Sequence, residues 1–368
     1  MKLASITAHR ISVPLLRAFT TAVRSAVELE TVIVELRDDA GLSGWGEAPI
    51  SVVTKTTTNA VIASVEGPLW SLFASADSVE HALERLEQSR EPSVARAAVD
   101  CALHDLAAQQ AGISMSEFLG GQPAGTPIHV TTDMTLSVAA PEELAATARH
   151  HVSEGFDCLK VKLNAEGDPL AAMVAVRAAV GKETILRVDA NQAFTPEQAI
   201  TFIRGLEKAN VGVEFVEQPV AAADWAGLAK VSGAVGLPIM ADESVWTCAD
   251  LDLLLERNAA SMINIKLAKT GGIRHARRLA DRAADAGLGV VVGCMLESSV
   301  GIAAAAAFAS TLPVMAQDLD GGLWLAASPV SGGAQYRRSE IWLSPAPGLG
   351  ITGLSWPRSS GTASSIGQ

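Results

Sequence analysis

The 368-residue chain has few charged residues and few cysteines, and both shortages restrict what it can be. Charged residues make up 18 % and apolar residues 49 % of the chain, whereas about 25 % charge is usual in globular domains. Such a chain can bury a large core, which excludes wholesale disorder. The four cysteines lie far apart without a CxxC pair, which argues against a disulfide framework and a sequence-local zinc site. We therefore expect a reduced, cytoplasmic protein.

Basic charge and long apolar runs are also scarce. The chain has 28 Lys+Arg against 40 Asp+Glu, a net charge of −12. This acidity argues against nucleic acid and against anionic membranes as partners. The richest apolar stretch, 287–315, is interrupted by Glu297, Ser298 and Ser299, so it falls short of the roughly 20 apolar residues of a membrane span. We therefore expect neither nucleic acid nor a membrane as a partner.

The chain divides near residue 125. Before it, alternating and helical apolar patterns predict three strands and three helices. The strands are 2–13, 30–37 and 43–49, and the helices are 56–73, 78–89 and 93–110. The Gly- and Pro-rich stretch 120–127 is typical of a linker. Residues 1–125 are thus predicted to form an α+β domain.

From residue 128 onward, eight short apolar runs alternate with helix-length segments. The runs are 129–136, 158–163, 185–190, 213–218, 238–243, 262–267, 289–296 and 313–320. Eight such alternations predict a (β/α)₈-type barrel over 126–321. The segment 322–368 has too little apolar surface to fold alone, so we expect it to return to the N-terminal domain. Its Ser/Gly-rich end, 358–368, is predicted to be disordered.

Carboxylates end three successive predicted strands, at Asp189, Glu217 and Asp242. Functional side chains of a barrel lie at these strand ends. A single acid there usually caps the next helix, but three in succession, flanked by lysines, indicate a site. Three converging carboxylates repel one another unless a cation neutralises them, and oxygen-only ligands suit Mg²⁺. We predict one Mg²⁺ per subunit, held by these three residues.

The flanking lysines are candidates for moving a proton. Lys160 and Lys162 share one face of the second strand, and Lys266 ends the sixth. A lysine must lose about three pKa units to act as a base near neutrality. We assign Lys162 as the base on one face, Lys160 as the neighbour that tunes it, and Lys266 as the base on the other face.

Three polar neighbours receive lesser roles. Asn191 is predicted to support the metal or a substrate oxygen. Glu243 follows Asp242 by one residue and should point away from the mouth. Lys269 is expected to pack against or cap the next helix.

An ordered set of motifs resembles the muconate-lactonizing subgroup of the enolase superfamily. The motifs are GWGEAP (44–49), LKVKL (159–163), VDANQAF (188–194), VEQP (216–219), ADES (241–244), NIKLAKTGG (264–272) and GCMLESS (293–299). The resemblance implies a (β/α)₇β barrel with an α+β capping domain that the C-terminal segment completes. It also implies a homo-oligomer and Mg²⁺-assisted removal of the proton α to a carboxylate, through an enediolate. Cys294 stands where a mandelate-racemase-like enzyme needs a histidine, so sugar-acid dehydration is disfavoured.

The stretch AQDLDGGLWLA (316–326) resembles the eighth strand of dipeptide epimerases. That resemblance implies that Asp318 and Asp320 hold the α-ammonium group of a dipeptide, whose C-terminal residue is inverted at Cα. Arg24 could pair with an acidic second residue, as in L-Ala-D/L-Glu epimerases, or could be an ordinary solvated arginine. The other expected substrate contacts are Thr135, Met295 and Glu297.

Three alternatives stay open at this point. An N-succinylamino acid racemase or o-succinylbenzoate synthase would act on substrates without a free ammonium group, which fits two acids poorly. Muconate cycloisomerisation meets the same objection. A non-catalytic barrel is disfavoured because the lysines and carboxylates of the expected site are all present. These five residues are Lys162, Asp189, Glu217, Asp242 and Lys266.

Overall fold

An antiparallel sheet opens the chain in the computed structural model, which describes residues 2–22, 24–123 and 127–356. Its strands pair in chain order: β1 Leu3–Thr20, β2 Ser25–Asp38 and β3 Ser43–Pro49. The first two strands are longer than predicted, because they continue as a two-stranded ribbon (residues 14–20 and 25–28) whose end docks on the barrel. There the Thr20 N–H donates to Ser137 Oγ at 3.1 Å, and the Val138 N–H donates to Thr20 O at 3.1 Å.

Five helices follow this sheet in the described part of the chain, and the first and fourth of them pack against it. They are α1 Thr58–Ser64, α2 Trp70–Phe73, α3 Val79–Leu86, α4 Ser93–Ala111 and α5 Met115–Phe118. The prediction of one regular helix over 56–73 is wrong, because a π-helical turn, Val65–Leu69, separates α1 from α2. Pro68 lies in that turn. Proline lacks an N–H and its ring clashes with the carbonyl four residues earlier, so a widened turn accommodates it.

Helix α4 lies unusually close to β3, and two glycines permit the approach. A Cβ on Gly44 would lie 2.1 Å from Ala102 O, and one on Gly46 would lie 1.9 Å from Ala98 O. Real Cβ atoms do not come this close to a carbonyl oxygen. The glycines of the GWGEAP motif are therefore required for the packing of the capping sheet.

The barrel begins after a short strand, β4 His129–Thr131, which pairs antiparallel with Glu340–Trp342 near the C-terminus. Seven parallel strands follow in chain order. They are β5 Met134–Leu136, β6 Cys158–Lys162, β7 Ile185–Asp189, β8 Val213–Glu217, β9 Ile239–Ala241, β10 Met262–Lys266 and β11 Gly289–Gly293. The prediction of one first strand over 129–136 is therefore wrong. The Thr132 N–H donates to Ser339 O and the Asp133 N–H to Gln317 O, both at 2.8 Å, so the backbone changes partner there.

Two residues of the predicted eighth run, 313–320, close the barrel. Gln317 and Asp318 bridge in parallel to Thr132 and Gly293 on its two sides. The Gln317 N–H donates to Thr131 O at 2.8 Å and the Asp318 N–H to Val292 O at 3.0 Å. The eighth strand is thus much shorter than predicted, while the predicted α/β class with a (β/α)₇β barrel and an α+β cap is confirmed.

The barrel helices are α6 Pro141–Ser153, α7 Pro169–Val180, α8 Pro196–Lys208, α9 Trp225–Ala234, α10 Cys248–Arg257, α11 Leu267–Thr270, α12 Ile273–Asp285 and α13 Ser299–Ala309. The starts of α8 and α10 follow from sequence, since Thr195 and Thr247 both form capping boxes. Helix α13 is buried along its whole length after Ser299. Among the residues described, none of the helices combines the length and apolar composition needed to span a bilayer.

A 3₁₀ turn, Gly321–Trp324, leads into four short strands: β12 Val330–Gly332, β13 Gln335–Arg337, β14 Glu340–Trp342 and β15 Ile351–Leu354. This segment contacts the N-terminal part of the chain. The Leu349 N–H donates to Asp105 Oδ1 at 2.7 Å, and the Ala326 N–H to Pro14 O at 2.9 Å. The domain boundaries at 125 and 321 stay predictions, and the predicted disordered tail, 358–368, lies outside the described residues.

Replacing Gly46 by alanine would place a methyl group 1.9 Å from the Ala98 carbonyl oxygen. We expect this overpacking to lower the free energy of unfolding by about 3 kcal/mol, measured by urea denaturation. Gly233→Ala is the control, because Gly233 is exposed in α9 and its Cβ would meet nothing within 4 Å. The control should be unchanged, or stabilised by up to about 1 kcal/mol through helix propensity. Equal stability of Gly46→Ala and the wild type would contradict the close packing.

Candidate active site

Three carboxylates form a row at the mouth of the barrel. Asp189 ends β7, Glu217 ends β8 and Asp242 follows β9 directly. The strand register pairs Lys162 with Asp189, Asp189 with Glu217, and Glu217 with Met240. Asp189 and Glu217 are 0 % exposed and Asp242 is 3 % exposed. The sequence-predicted metal ligands are thus brought together in a buried row.

The Lys160 ammonium lies among these acids rather than in solvent. Its Nζ is 3.0 Å from Asp189 Oδ2, 2.6 Å from Glu217 Oε2 and 2.8 Å from Asp318 Oδ2. Burial alone would lower the pKa of Lys160, but the three carboxylates outweigh it and raise that pKa well above its ordinary value. Lys160 therefore carries the positive charge that lets the acids lie side by side.

Lys162 and Lys266 occupy the two ends of the row. Lys162 Nζ donates to Asp189 Oδ2 at 2.7 Å and to Asn191 Oδ1 at 3.2 Å. Lys266 Nζ lies 2.9 Å from Asp242 Oδ2. Burial opposes the charge of Lys266, but Asp242 outweighs it and raises the pKa of that lysine. Two ammonium groups therefore face one pocket from opposite sides.

Lys269 belongs to the site, which corrects the expectation that it packs against or caps a helix. Its Nζ donates to Asp242 Oδ1 at 2.6 Å, and to the backbone oxygens of Asp242, Val245 and Asn264 at 2.5, 3.1 and 2.9 Å. Burial lowers the pKa of Lys269. A signal was present, because Lys269 lies three residues after Lys266 at a strand-to-helix junction, where this spacing returns a side chain to the same side.

Glu243 also contradicts its expectation, since it lines the pocket instead of pointing away. Its Oε2 is buried without a hydrogen-bond partner among the described residues. Burial, and then the Asp242 and Asp189 carboxylates, raise the pKa of Glu243 to about 7. The turn after β9, rather than the alternation of a regular strand, sets the direction of the Glu243 side chain. The sequence-based expectation assumed strand alternation and therefore did not predict this direction.

Asp318 and Asp320 lie in the same pocket. Asp318 Oδ2 accepts from Lys160 Nζ, while Asp320 Oδ2 accepts the Thr135 N–H at 2.8 Å and Trp324 Nε1–H at 3.0 Å. Burial and the neighbouring Asp318 raise the pKa of Asp320. The pair thus presents negative charge to the pocket from the side opposite β8 and β9.

Sequence reasoning missed a third acid beneath this pair. Carboxylate oxygens of Asp133, Asp318 and Asp320 lie within 4.8 Å of one another. Asp133 pairs with Arg187 at 2.9 Å, and its Oδ1 has no hydrogen-bond partner in the described part of the chain. Burial, and then Asp318, raise the pKa of Asp133 to about 8. Asp133 lies inside the run 129–136, which was predicted to be one strand, so it was not at a predicted strand end.

The ribbon and the loop after β3 cover the pocket. Residues lining it from the cap are Phe19, Thr21, Arg24, Val52 and Val53; from the barrel they are Thr135, Lys160, Lys162, Asn191, Asp242, Glu243, Lys266, Cys294, Met295, Leu296, Asp318, Asp320 and Gly321. The predicted site residues absent from this lining are Asp189, Glu217 and Glu297. The first two lie beneath Lys160, and the third lies behind Met295.

Arg24 stands in the turn that ends the ribbon. The Thr21 N–H donates to Arg24 O at 2.8 Å, which tightens the turn. Burial lowers the pKa of Arg24. Its guanidinium forms no ion pair within 2–22, 24–123 and 127–356. A partly buried cation without a carboxylate partner thus faces the pocket.

Glu297 supports the pocket wall instead of lining it. Its Oε1 accepts the Met295 N–H at 2.8 Å. Glu47, from the GWGEAP motif, lies beside it and accepts from the Ser298 N–H, the Ser298 hydroxyl and the Gly301 N–H at 2.9, 2.6 and 2.9 Å. A cap carboxylate therefore holds the start of α13, a role that the motif alone did not indicate.

Family comparison agrees with this architecture. A family model described as "Mandelate racemase / muconate lactonizing enzyme, N-terminal domain" matches residues 5–120, and "Enolase C-terminal domain-like" matches residues 143–354. The chain belongs to the enolase superfamily. The predicted superfamily and subgroup resemblance is thereby confirmed, and the chain is an enzyme of this fold.

Similar proteins are named as epimerases. The L-Ala-D/L-Glu epimerase of Bacillus subtilis is 38 % identical over 96 % of this chain and 97 % of that protein. A substrate-liganded structure of the B. subtilis enzyme matches with a TM-score of 0.91 at 38 % identity, over 96 % of this chain and all of that one. The Enterococcus faecalis dipeptide epimerase, with Mg and L-Leu-L-Tyr, matches with a TM-score of 0.90 at 34 % identity and the same coverage. The prediction of an epimerase-type isomerase is confirmed at this level.

The fold alone does not select a substrate. An N-succinyl Arg/Lys racemase from Bacillus cereus matches with a TM-score of 0.89 at 27 % identity, over 96 % of this chain and 95 % of that one. The same framework therefore serves enzymes named for different amino acid derivatives. The residues that line the pocket therefore have to distinguish one substrate class from another.

The buried acid at Glu297 makes stability depend on pH. Burial, and then Glu47, raise the pKa of Glu297 to about 8, whereas an unfolded glutamate titrates near pH 4.3. Between these two pH values Glu297 is ionised in the unfolded chain and neutral in the folded one. Its contribution to the free energy of unfolding therefore falls by about 1.4 kcal/mol for each pH unit as the pH rises. We expect Glu297→Gln to flatten this slope and to be more stable than the wild type by at least about 1 kcal/mol at pH 8, in urea denaturation at pH 5.5, 7 and 8.

The control for this prediction is Glu142→Gln, because Glu142 is exposed at the start of α6. That substitution should leave the pH slope unchanged. A Glu297→Gln protein with the wild-type slope would contradict the assignment of a neutral Glu297 at neutral pH.

Proposed function

We propose that the protein is a Mg²⁺-dependent dipeptide epimerase that inverts Cα of the C-terminal residue. One observation carries the proposal: Lys162 and Lys266 face a single pocket from opposite ends of a carboxylate row, and Asp318 and Asp320 lie in the same pocket. Two proton carriers suit inversion at a carbon, and two acids suit a free ammonium group. A cytoplasmic location and a homo-oligomer are proposed on sequence and family grounds alone.

The carboxylate row fits one Mg²⁺ per subunit. Asp189, Glu217 and Asp242 offer only oxygen donors, which a hard divalent cation prefers. Glu217 Oε2 is buried, and although Lys160 Nζ lies 2.6 Å away, the orientation gives this oxygen no hydrogen bond among the described residues. When bound to these residues, the ion would stabilise negative charge that develops on the substrate carboxylate.

The lysines supply the proton transfers. In one direction the neutral amine of Lys162 takes the proton from Cα, and the C–H electron pair passes into the adjacent carboxylate group. The Lys266 ammonium then donates its own proton to the opposite face of Cα, which inverts the centre. The roles exchange in the reverse direction.

Asp318 and Asp320 are proposed to hold the substrate's α-ammonium group. Both carboxylates are buried, at 5 % and 4 % exposure, so a cationic ligand group would recover the cost of their burial. An N-succinyl substrate lacks that ammonium and adds a carboxylate, which two acids would repel. The pair therefore favours a dipeptide over N-succinyl amino acids and over muconate.

Arg24 is proposed to select an acidic second residue, because its guanidinium faces the pocket without a carboxylate partner in the described ranges. Thr135, Asn191 and Met295 line the same pocket and are proposed as further substrate contacts. Glu297 is proposed to act on the substrate only through the turn at Met295, which it holds.

A deuterium-exchange screen tests the function. The protein is incubated in D₂O with Mg²⁺ and a library of L,L-dipeptides, and mass spectrometry detects deuterium at the C-terminal residue. We expect exchange together with the L,D epimer, and loss of both when EDTA removes the metal. No exchange with any dipeptide, or faster reaction of N-succinyl amino acids, would contradict the proposal.

The role of Arg24 is tested separately. We expect Arg24→Met to lower kcat/KM for L-Ala-L-Glu by about 100-fold, because a charged hydrogen-bonded pair contributes roughly 3 kcal/mol. The rate with L-Ala-L-Leu should change less than threefold. Arg90→Met is the matched control, since Arg90 is exposed and outside the pocket lining. Equal losses for both dipeptides would show that Arg24 does not read the side chain.

A further inference from the structure

Trp324 fixes one oxygen of Asp320. Its Nε1–H donates to Asp320 Oδ2 at 3.0 Å, and the Thr135 N–H donates to the same oxygen at 2.8 Å. The indole is 2 % exposed and does not line the pocket. Two donors on Oδ2 set the rotation of a carboxylate that lines the pocket.

The ring of Trp324 supports the ribbon. The Arg17 guanidinium carbon lies 4.4 Å from the ring centroid, and the Phe19 ring packs edge-on with centroids 4.8 Å apart at 89°. Arg17 and Phe19 are two residues apart on β1, so they project to the same side of the strand. Arg17 also shares a hydrogen bond of 3.1 Å with His151 Nε2 of α6. The indole is thus the surface on which the ribbon rests.

The ribbon that rests on Trp324 also contacts other parts of the site. Phe19 lies under the Lys162 ammonium, which is 5.7 Å from its ring centroid. Arg24 stands in the turn at the ribbon's end. A bridge between Leu15 and Leu325 holds the ribbon to the residue directly after Trp324. One side chain therefore contacts both the acid at one wall of the pocket and the element that covers it.

We propose that Trp324 is a positioning residue that couples the ribbon to Asp320. Its N–H aims the carboxylate at the substrate's ammonium group, and its ring seats the ribbon through Arg17 and Phe19. The inference rests on the proposed dipeptide function for the ammonium group. The coupling itself requires only the contacts of Trp324.

Trp324→Phe separates the two contacts, because it removes the N–H and keeps an aromatic ring. We expect KM for a free dipeptide to rise about tenfold, the usual effect of losing a hydrogen bond to a charged group, while kcat stays within twofold. The preference for a free dipeptide over its N-acetyl derivative should fall about tenfold. A purely structural role would not change that preference.

Trp342→Phe is the matched control. Trp342 makes the same two kinds of contact, since its Nε1–H donates to Glu340 Oε2 at 2.9 Å and the Arg337 guanidinium lies 4.7 Å from its ring. It belongs to β14 and is outside the pocket lining. Kinetic constants of this variant should match the wild type. An equal change in both variants would overturn the proposal.

A double-mutant cycle identifies the route. If Trp324 acts through Asp320, then Trp324→Phe has no further effect on KM in an Asp320→Ala protein, which lacks the acceptor of the indole N–H. Additive effects would overturn this half of the proposal. Wild-type protein that fails to epimerise any dipeptide would contradict the proposed function, whereas an active wild type with an unchanged Trp324→Phe variant contradicts only the inference.

Hydrogen–deuterium exchange tests the ribbon without any substrate. Arg17→Met changes an exposed side chain and removes the cation that lies on the indole. We expect at least a fivefold faster amide exchange in residues 15–20 and 25–28 of the ribbon in Arg17→Met and in Trp324→Leu, with the barrel strands unchanged. Wild-type exchange rates of the ribbon in both variants would overturn the seating role.

Discussion

The buried Lys160 ammonium is the interaction on which the active site depends. It lies within 3.0 Å of carboxylate oxygens of Asp189, Glu217 and Asp318, which come from three different strands. Unpaired carboxylates in such a dry position would cost several kcal/mol each. Lys162, Lys266 and Lys269 extend the same pairing to both ends of the row. The barrel mouth therefore contains a network of ion pairs between lysines and carboxylates, and this network forms when the strands pair.

Buried carboxylates also join the cap to the barrel. Glu47 accepts backbone N–H groups at the start of α13, and Asp100 accepts the Ile273 N–H at the start of α12 at 2.5 Å. Asp105 accepts from the Trp45 and Leu349 N–H groups at 2.8 and 2.7 Å. Helix N-termini attract negative charge, so Glu47 and Asp100 hold the cap against the barrel, whereas Asp105 joins α4 to β3 and to the C-terminal segment. Part of the net charge of −12 thus serves the structure and the site.

Residues at strand ends were predictable from the sequence, because the alternation of strands and helices places them at one end of a barrel. The positions of the carboxylate row, of the two outer lysines and of the D-x-D pair follow from that rule. The rule did not predict the roles of four other residues: Lys269, Glu243, Glu47 and Trp324. The directions of these side chains are set by a helical turn, a tight turn and contacts between distant segments. The split first strand and the π-helical turn at Pro68 depend on partner exchange and ring sterics, which apolar periodicity does not record.

The two-sided arrangement of Lys162 and Lys266 is the central claim, and the most direct test follows each epimer separately. Purified L,L- and L,D-dipeptides are incubated in D₂O with Lys162→Ala and Lys266→Ala, and α-deuterium is measured by mass spectrometry. Each variant should exchange the proton of one epimer only, the opposite one in the two variants, without epimerising either. Exchange of both epimers by a single variant would contradict a mechanism with one lysine on each face.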